Sequence, residues 1–193
     1  SRHRISTTFR NAAKSIMFTS DVSARGVDYP DVTLVVQYGA PQNSDLYIHR
    51  LGRTGRAGKE GSGIQVLLPF EAKKFAKTLG NNTKAEDSTT HNKQTTKRQV
   101  DNIRQRTQRG EAQLAIPAEG AYRSFLAYYM SRTNYLGISK HDVVRYSKQF
   151  AEQAGLIKLP GIERTIAKKL GIERMKDVSI VEDNEQLTGS TRP

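Results

Sequence analysis

The sequence predicts an α/β unit built on a parallel sheet flanked by helices, followed by a small all-helical module. Three observations carry this. Over residues 1–80, three short apolar runs bounded by Gly, Pro or Asp alternate with helical stretches, the order expected of a parallel sheet with helices on its faces. Residues 81–113 are polar, with little to bury, and read as a linker. From Leu114 onward apolar side chains recur at helical spacing.

The chain opens as a helix, with Phe9, Ala12 and Ala13 on one side. Ser15 to Thr19, Thr33 to Tyr38 and Gly63 to Leu68 are the three expected buried strands. A second helix begins near Ser44, whose hydroxyl can cap it, and carries Leu46, Tyr47, Ile48 and Leu51. A third runs from about Phe70 to Leu79, with Phe75 four residues before Leu79 and Gly80 as its stop. Within the linker a helix starting near Lys97 has only Val100 and Ile103 as an apolar face. Beyond it, Tyr122, Phe125, Leu126 and Tyr129 follow the i, i+3, i+4, i+7 pattern of a half-buried helix. Ser139-Lys140-His141-Asp142 is a capping box opening a helix that buries Val143, Val144 and Phe150 and stops at Gly155. A short helix from Glu163 to Leu170 ends at Gly171, and 182–193 is a polar tail expected to fray. The domain reading is therefore 1–80, linker 81–113, helical module 114–181 and tail 182–193.

Composition narrows the function. There are 31 Lys and Arg against 19 Asp and Glu, a formal charge of +12, which suits a polyanionic partner. The excess is shared by both folded segments, so neither is a simple basic tail. Without cysteine, disulfides, thiolate metal sites and cysteine nucleophiles are excluded. No apolar run approaches the roughly 20 residues a membrane-spanning helix needs. The start, Ser1-Arg2-His3-Arg4-Ile5-Ser6, lacks methionine and an apolar core region and reads as the middle of a helix; the chain is expected to be a piece of a longer one. Asn81-Asn82-Thr83 fits a glycosylation acceptor by pattern alone.

The chemistry concentrates in Tyr47-Ile48-His49-Arg50-Leu51-Gly52-Arg53-Thr54-Gly55-Arg56-Ala57-Gly58. Arg50, Arg53 and Arg56 recur every third residue at a helix end, and Gly52 and Gly55 keep side chains clear of an approaching ligand. A guanidinium holds phosphate oxygens with two parallel hydrogen bonds and keeps its charge at any working pH. Beside a nucleoside triphosphate it stabilises charge developing on the transferred phosphoryl group. A solvated basic surface accounts for the charge, but not for the glycine spacing or the histidine. A second stretch, Thr19 to Pro30, follows directly on the first apolar run. Its small and hydroxyl residues let backbone amides approach a phosphate, while Asp21 and Asp28 can accept from a ribose hydroxyl or orient an arginine.

Both stretches resemble motifs of superfamily 2 helicases, specifically motifs VI and V of DEAD-box RNA helicases. His49-Arg50-Leu51-Gly52-Arg53-Thr54-Gly55-Arg56 is similar to motif VI. Ser20-Asp21-Val22-Ser23-Ala24-Arg25-Gly26-Val27-Asp28 is similar to motif V, with serine where the family usually has threonine. Arg2 fits the end of the preceding Gln-x-x-Arg motif. The resemblance covers residues 2–80 and implies the second RecA-like motor domain of an ATP-dependent RNA helicase. It implies that Arg53 and Arg56 reach the triphosphate, with Arg56 as the finger, and that His49 and Arg50 meet the first RecA-like domain. It further implies that Asp28 holds the ATP ribose, that Ser20 and Gly26 face the RNA backbone, and that Arg25 either joins them or stiffens the loop through a salt bridge. ATP is the implied nucleotide, with Mg2+ held mainly by the first motor domain. The stretch contains neither a Gly-x-x-x-x-Gly-Lys-Ser/Thr loop nor an Asp-Glu-Ala-Asp run, so the chain alone is expected not to hydrolyse ATP.

The helical module, with Leu159-Pro160-Gly161 and a short basic helix after it, resembles the extension of fungal mitochondrial DEAD-box helicases that chaperone intron folding. That resemblance implies an extension packed on the second motor domain that contacts and bends RNA, a monomer, and the mitochondrial matrix, with nucleus or cytoplasm as alternatives. Arg123, Arg145, Lys148, Arg164, Lys168 and Lys169 are candidate phosphate contacts, or ordinary solvated charges. Leu159 to Glu163 is also similar to a helix-hairpin-helix turn, but Glu163 stands where that motif needs glycine. Two other functions stay open: a non-catalytic RNA-binding module, and a DNA-directed superfamily 2 motor.

Overall fold

Residues 2–21, 29, 32–79 and 93–183 are described in a computed structural model, and the chain divides into two units, 1–85 and 86–193. The first contains α1 (Arg2–Asn11), β1 (Leu34–Tyr38), α2 (Ser44–Leu51), β2 (Ser62–Val66) and α3 (Pro69–Leu79). β1 and β2 are parallel, in register from Leu34 opposite Ser62 to Tyr38 opposite Val66. A parallel pair needs a crossover, and α2 is that crossover. Side chains alternate across a sheet, so Gln37 and Gln65 share one face with Val35 and Gly63. α2 covers this face: a Cβ on Gly63 would overlap the Leu51 side chain, and buried Gln37 donates from Nε2 to the Tyr47 carbonyl at 3.4 Å. The opposite face carries Val36, Tyr38, Ile64 and Val66, all exposed.

Two sequence expectations are corrected here. Ser15 to Thr19 is extended but forms no strand, and Ile16 and Phe18 are 84% and 95% exposed. A strand exists only by its ladder, and the described residues supply that segment with no neighbour. The cap of α2 is Asn43, not Ser44: its side-chain oxygen accepts from the Leu46 amide at 2.8 Å. Asn43→Ala is expected to destabilise the first unit by about 1 kcal/mol, measured by chemical denaturation. Gly80 and the segment 81–92 lie outside the described residues.

α3 is secured by Glu71, which is 1% exposed. Its two carboxylate oxygens accept from the Leu68 amide and the Ala40 amide, each at 2.9 Å. The first bond closes the open end of α3; the second ties that end to the chain leaving β1. Tyr47 and Phe75 meet edge to face, 5.5 Å apart, joining α2 to α3.

The second unit contains α4 (Lys93–Gln108), α5 (Ala112–Met130), α6 (Thr133–Leu136), α7 (Lys140–Ala154), β3 (Ile162–Glu163), α8 (Arg164–Leu170) and β4 (Ile180–Val181). The expected spacing on α5 holds: Tyr122, Leu126 and Tyr129 are buried, and Phe125 stacks on Phe150 of α7 at 4.9 Å. Val143, Val144 and Ala151 form the facing stripe of α7. The Ser139–Asp142 capping box is present with both of its bonds, and Gly155 ends the helix at φ 88°.

Three expectations about this unit are revised. Residues 93–108, read as linker, form α4, which packs on α5 and α7. Its contact is made through backbone and small side chains: Thr107 is buried, and a Cβ on Gly155 would overlap the Arg104 carbonyl. A hydrophobic pattern does not register such an interface. The module is also not all-helical, since β3 and β4 pair in parallel, two residues each. Finally, Glu182 and Asp183 of the expected tail are engaged: Glu182 pairs with Arg164, and Asp183 accepts from the Thr165 amide at 2.9 Å. The remainder of the tail, 184–193, lies outside the described residues.

Carboxylates in this unit tie its stability to pH. Glu111 is held below the usual carboxylate range by its bond from Arg106, Asp142 by bonds from Ser139, Glu182 by Arg164 and Asp183 by Thr165. Folded values below the unfolded ones give a contribution that is complete only above about pH 5 and is lost progressively as pH falls through the unfolded and then the depressed range. Thermal unfolding of the chain at pH 7, 5 and 3 is therefore expected to show a lower melting temperature only at the acid end.

Candidate functional site

Helix α2 places the arginine–glycine stretch at its own carboxyl end. Gly52 closes the helix, its amide donating to the Ile48 carbonyl at 2.7 Å. The chain then turns through Gly55 at φ 65°, Ala57 at φ 53° and Gly58 at φ 75°. This left-handed region suits glycine and costs alanine, so the loop is held by its surroundings. One such hold is the Lys59 amide donating to the Arg56 carbonyl at 3.0 Å.

The three arginines are oriented differently. Arg53 donates from Nε to the His49 carbonyl at 3.2 Å, and Arg56 from Nε to the Gly52 carbonyl at 2.7 Å. Each guanidinium is thus laid along the backbone four residues earlier, where the negative end of the α2 dipole favours a cation. Both are half-buried, and His49 is exposed on α2.

Arg50 is paired within its own unit. It forms a two-pronged pair with Asp21, Nε to Oδ1 at 2.6 Å and Nη2 to Oδ2 at 2.9 Å. Its fork is directed at a carboxylate of the same unit, because a guanidinium and a carboxylate match in geometry and charge. Ser20, next to Asp21, is exposed. Arg25, Gly26 and Asp28 lie outside the described residues.

Two residues that sequence reasoning passed over complete the site. Thr54 is 8% exposed, and its hydroxyl donates to the Val32 carbonyl. Its only sequence signal was a hydroxyl flanked by arginine and glycine. Glu71 gave a fainter one, an acidic residue in the first turn of α3 without Ser or Thr at the cap.

The candidate cations of the second unit are mostly paired within it. Arg123 donates to the Gly161 carbonyl at 3.0 Å and pairs with Glu119. Arg145 pairs with Asp142 at 2.6 Å, Lys148 with Asp177 at 2.9 Å, and Arg164 with Glu182. Lys148 and Arg164 are pushed above their ordinary values by those bonds. Lys168 lies near Glu182 and Asp183, while Lys169 is exposed. Arg123 is structural, because its bond closes α5 onto the turn before β3. The pairs of Arg145, Lys148 and Arg164 are exposed, and a polyanion can open them at small cost.

Among the described residues no group of three or more His, Asp or Glu side chains could hold a metal ion.

Comparison with known proteins agrees with the geometry. Residues 1–58 match the helicase conserved C-terminal domain. DEAD-box ATP-dependent RNA helicase 31 of Oryza sativa subsp. japonica is 38% identical over 174 residues, covering 90% of this chain and 30% of that protein. DEAD-box ATP-dependent RNA helicase 31 of Arabidopsis thaliana is 39% identical over 180 residues, covering 90% of this chain and 23% of its own length. The chain thus spans less than a third of each of these relatives. Among solved structures, Mss116p bound to ssRNA and AMP-PNP superposes with a TM-score of 0.64 at 23% identity, over 94% of this chain and 36% of that one. Mss116p DEAD-box helicase domain 2 bound to an RNA duplex gives 0.61 at 22% identity, over 94% and 71%. The fold is that of a RecA-like helicase domain.

Proposed function

We propose that this chain, which carries a C-terminal helicase domain of the DEAD-box type, supplies one half of a composite ATP site in an RNA-remodelling helicase. The observation that carries the reading is the arginine loop, with Arg53 and Arg56 both steered by their own helix end. Two guanidiniums so placed can neutralise charge on a triphosphate presented from a facing domain, with Arg56 as the finger and His49 at the exposed seam. Asp28 would take the ribose. Mg2+ would be held by the facing domain. ATP binding would close the two domains on one RNA strand and bend it, and hydrolysis would release it.

RNA contacts are assigned to Ser20 and Gly26 in the first unit and to Arg145, Lys148, Arg164 and Lys168 in the second. The ion pairs of Arg145, Lys148 and Arg164 give way when phosphates replace the carboxylates. Charge reversal of Arg145 and Lys168 together is expected to weaken RNA binding by the complete protein and to flatten its salt dependence. Unchanged binding and salt slope would remove the second unit from the RNA interface. RNA, not DNA, is expected to stimulate ATP hydrolysis by the complete protein, and stimulation by DNA alone would reassign it to a DNA-directed motor. An RNA chaperone role and a mitochondrial location rest on the resemblance of the helical module to the extension of fungal mitochondrial DEAD-box helicases, and imaging of a tagged complete protein tests the location.

A further inference from the structure

We infer that Thr54 is a positioning residue for the ATP-facing arginines, a role that rests on the reading of the arginine loop given above. Thr54 sits between Arg53 and Arg56 and is the one residue of Arg53 to Gly58 that is buried. A threonine in a loop of arginines and glycines would ordinarily face water; this one is turned inward. Its hydroxyl reaches the carbonyl of Val32, on the chain entering β1. The loop therefore gains a fixed point on the sheet side, between two arginines that each donate to a carbonyl at their own helix end.

The returning chain is shaped to admit that anchor. A Cβ on Gly61 would overlap the Thr54 hydroxyl and methyl and the Gly55 amide. Gly61 has no positive φ to explain its identity, so the constraint is space, and the space is taken by Thr54. The Arg50–Asp21 pair holds the helix side of the same stretch, and the Thr54–Val32 bond holds its loop side. Between these two ties, the Cα positions of Arg53 and Arg56 are set relative to the sheet. Positioning of this kind is worth most in the transition state, where an ångström of misplacement costs on the order of 100-fold in rate.

The test compares Thr54→Val, which keeps shape and removes the hydroxyl, with Thr54→Ser, which keeps the hydroxyl. In the 193-residue chain, 15N-edited spectra report the Nε–H groups of Arg53 and Arg56. Thr54→Val is expected to shift both signals and to speed their exchange with water about tenfold, while Thr54→Ser stays near the parent; a tenfold change is the loss of about 1.4 kcal/mol of bond protection. In the complete helicase, Thr54→Val is expected to lower kcat for RNA-stimulated ATP hydrolysis about 10- to 100-fold with KM for RNA within about twofold, and Thr54→Ser to restore most of it. Unmoved Arg signals in Thr54→Val, or equal losses in both variants, would overturn the assignment. If the parent helicase hydrolyses no ATP, the proposed function fails, and the Arg spectra still decide whether Thr54 positions the arginines.

Discussion

Replacing Arg56 with alanine in the complete protein is expected to lower RNA-stimulated ATP hydrolysis by about a thousandfold or more, with RNA affinity in the absence of nucleotide nearly unchanged. The size of the effect follows from what the guanidinium does. It meets charge that builds up on the transferred phosphoryl group, so its contribution is realised in the transition state and not in RNA binding. Arg56→Lys is expected to recover little, since an ammonium lacks the planar fork that lets Nε hold the Gly52 carbonyl while the terminal nitrogens stay available for phosphate. Steady-state phosphate release and RNA binding by anisotropy, measured side by side, check both halves of this expectation. A parallel loss of RNA binding would point instead to collapse of the loop.

Glu71→Ala is expected to be the most destabilising single change in the first unit, at about 3–5 kcal/mol. The carboxylate is buried and receives two backbone amides. Charge-assisted bonds contribute about 1.5–3 kcal/mol each, and removing the acceptor leaves both donors buried without a partner. Glu71→Gln keeps one acceptor oxygen and about half of the stabilisation. Because one of the amides belongs to Ala40, just before the turn into α2, the loss also loosens the base of the arginine helix. Denaturant titration of the chain, followed by the far-ultraviolet signal, reports the stability change directly.

The contrast between these two residues shows what was readable in the chain. Arg56 lies in a stretch whose residue types and spacing are dictated by the chemistry of phosphate, so its placement at a helix end was legible before any coordinates. The same holds for β1, β2 and α3, whose apolar runs have definite ends, and for the capping box of α7. Glu71 and Thr54 carry no such signal, because each acts through a backbone group far away in sequence. Ser15 to Thr19 was misread for a related reason: its composition suits a strand, but strandedness is a property of a pair. The helix from about Lys97 was legible, but its packing was not, because α4 meets the end of α7 by backbone approach at Gly155 and not by an apolar stripe. The extension's arginines were legible as charge, whereas their carboxylate partners, as much as 29 residues away for Lys148 and Asp177, were not.

The Arg50–Asp21 pair also ties the arginine helix to the segment before it. Arg50→Ala is then expected to impair folding of the site as well as catalysis, unlike Arg56→Ala.

The central claim is that the arginine loop works only against a second motor domain. It is tested most directly by measuring phosphate release from ATP, at saturating RNA, by this chain alone and by the complete protein that contains it. The chain alone is expected to show no RNA-stimulated release, and the complete protein clear stimulation. RNA-stimulated hydrolysis by the chain alone would contradict it.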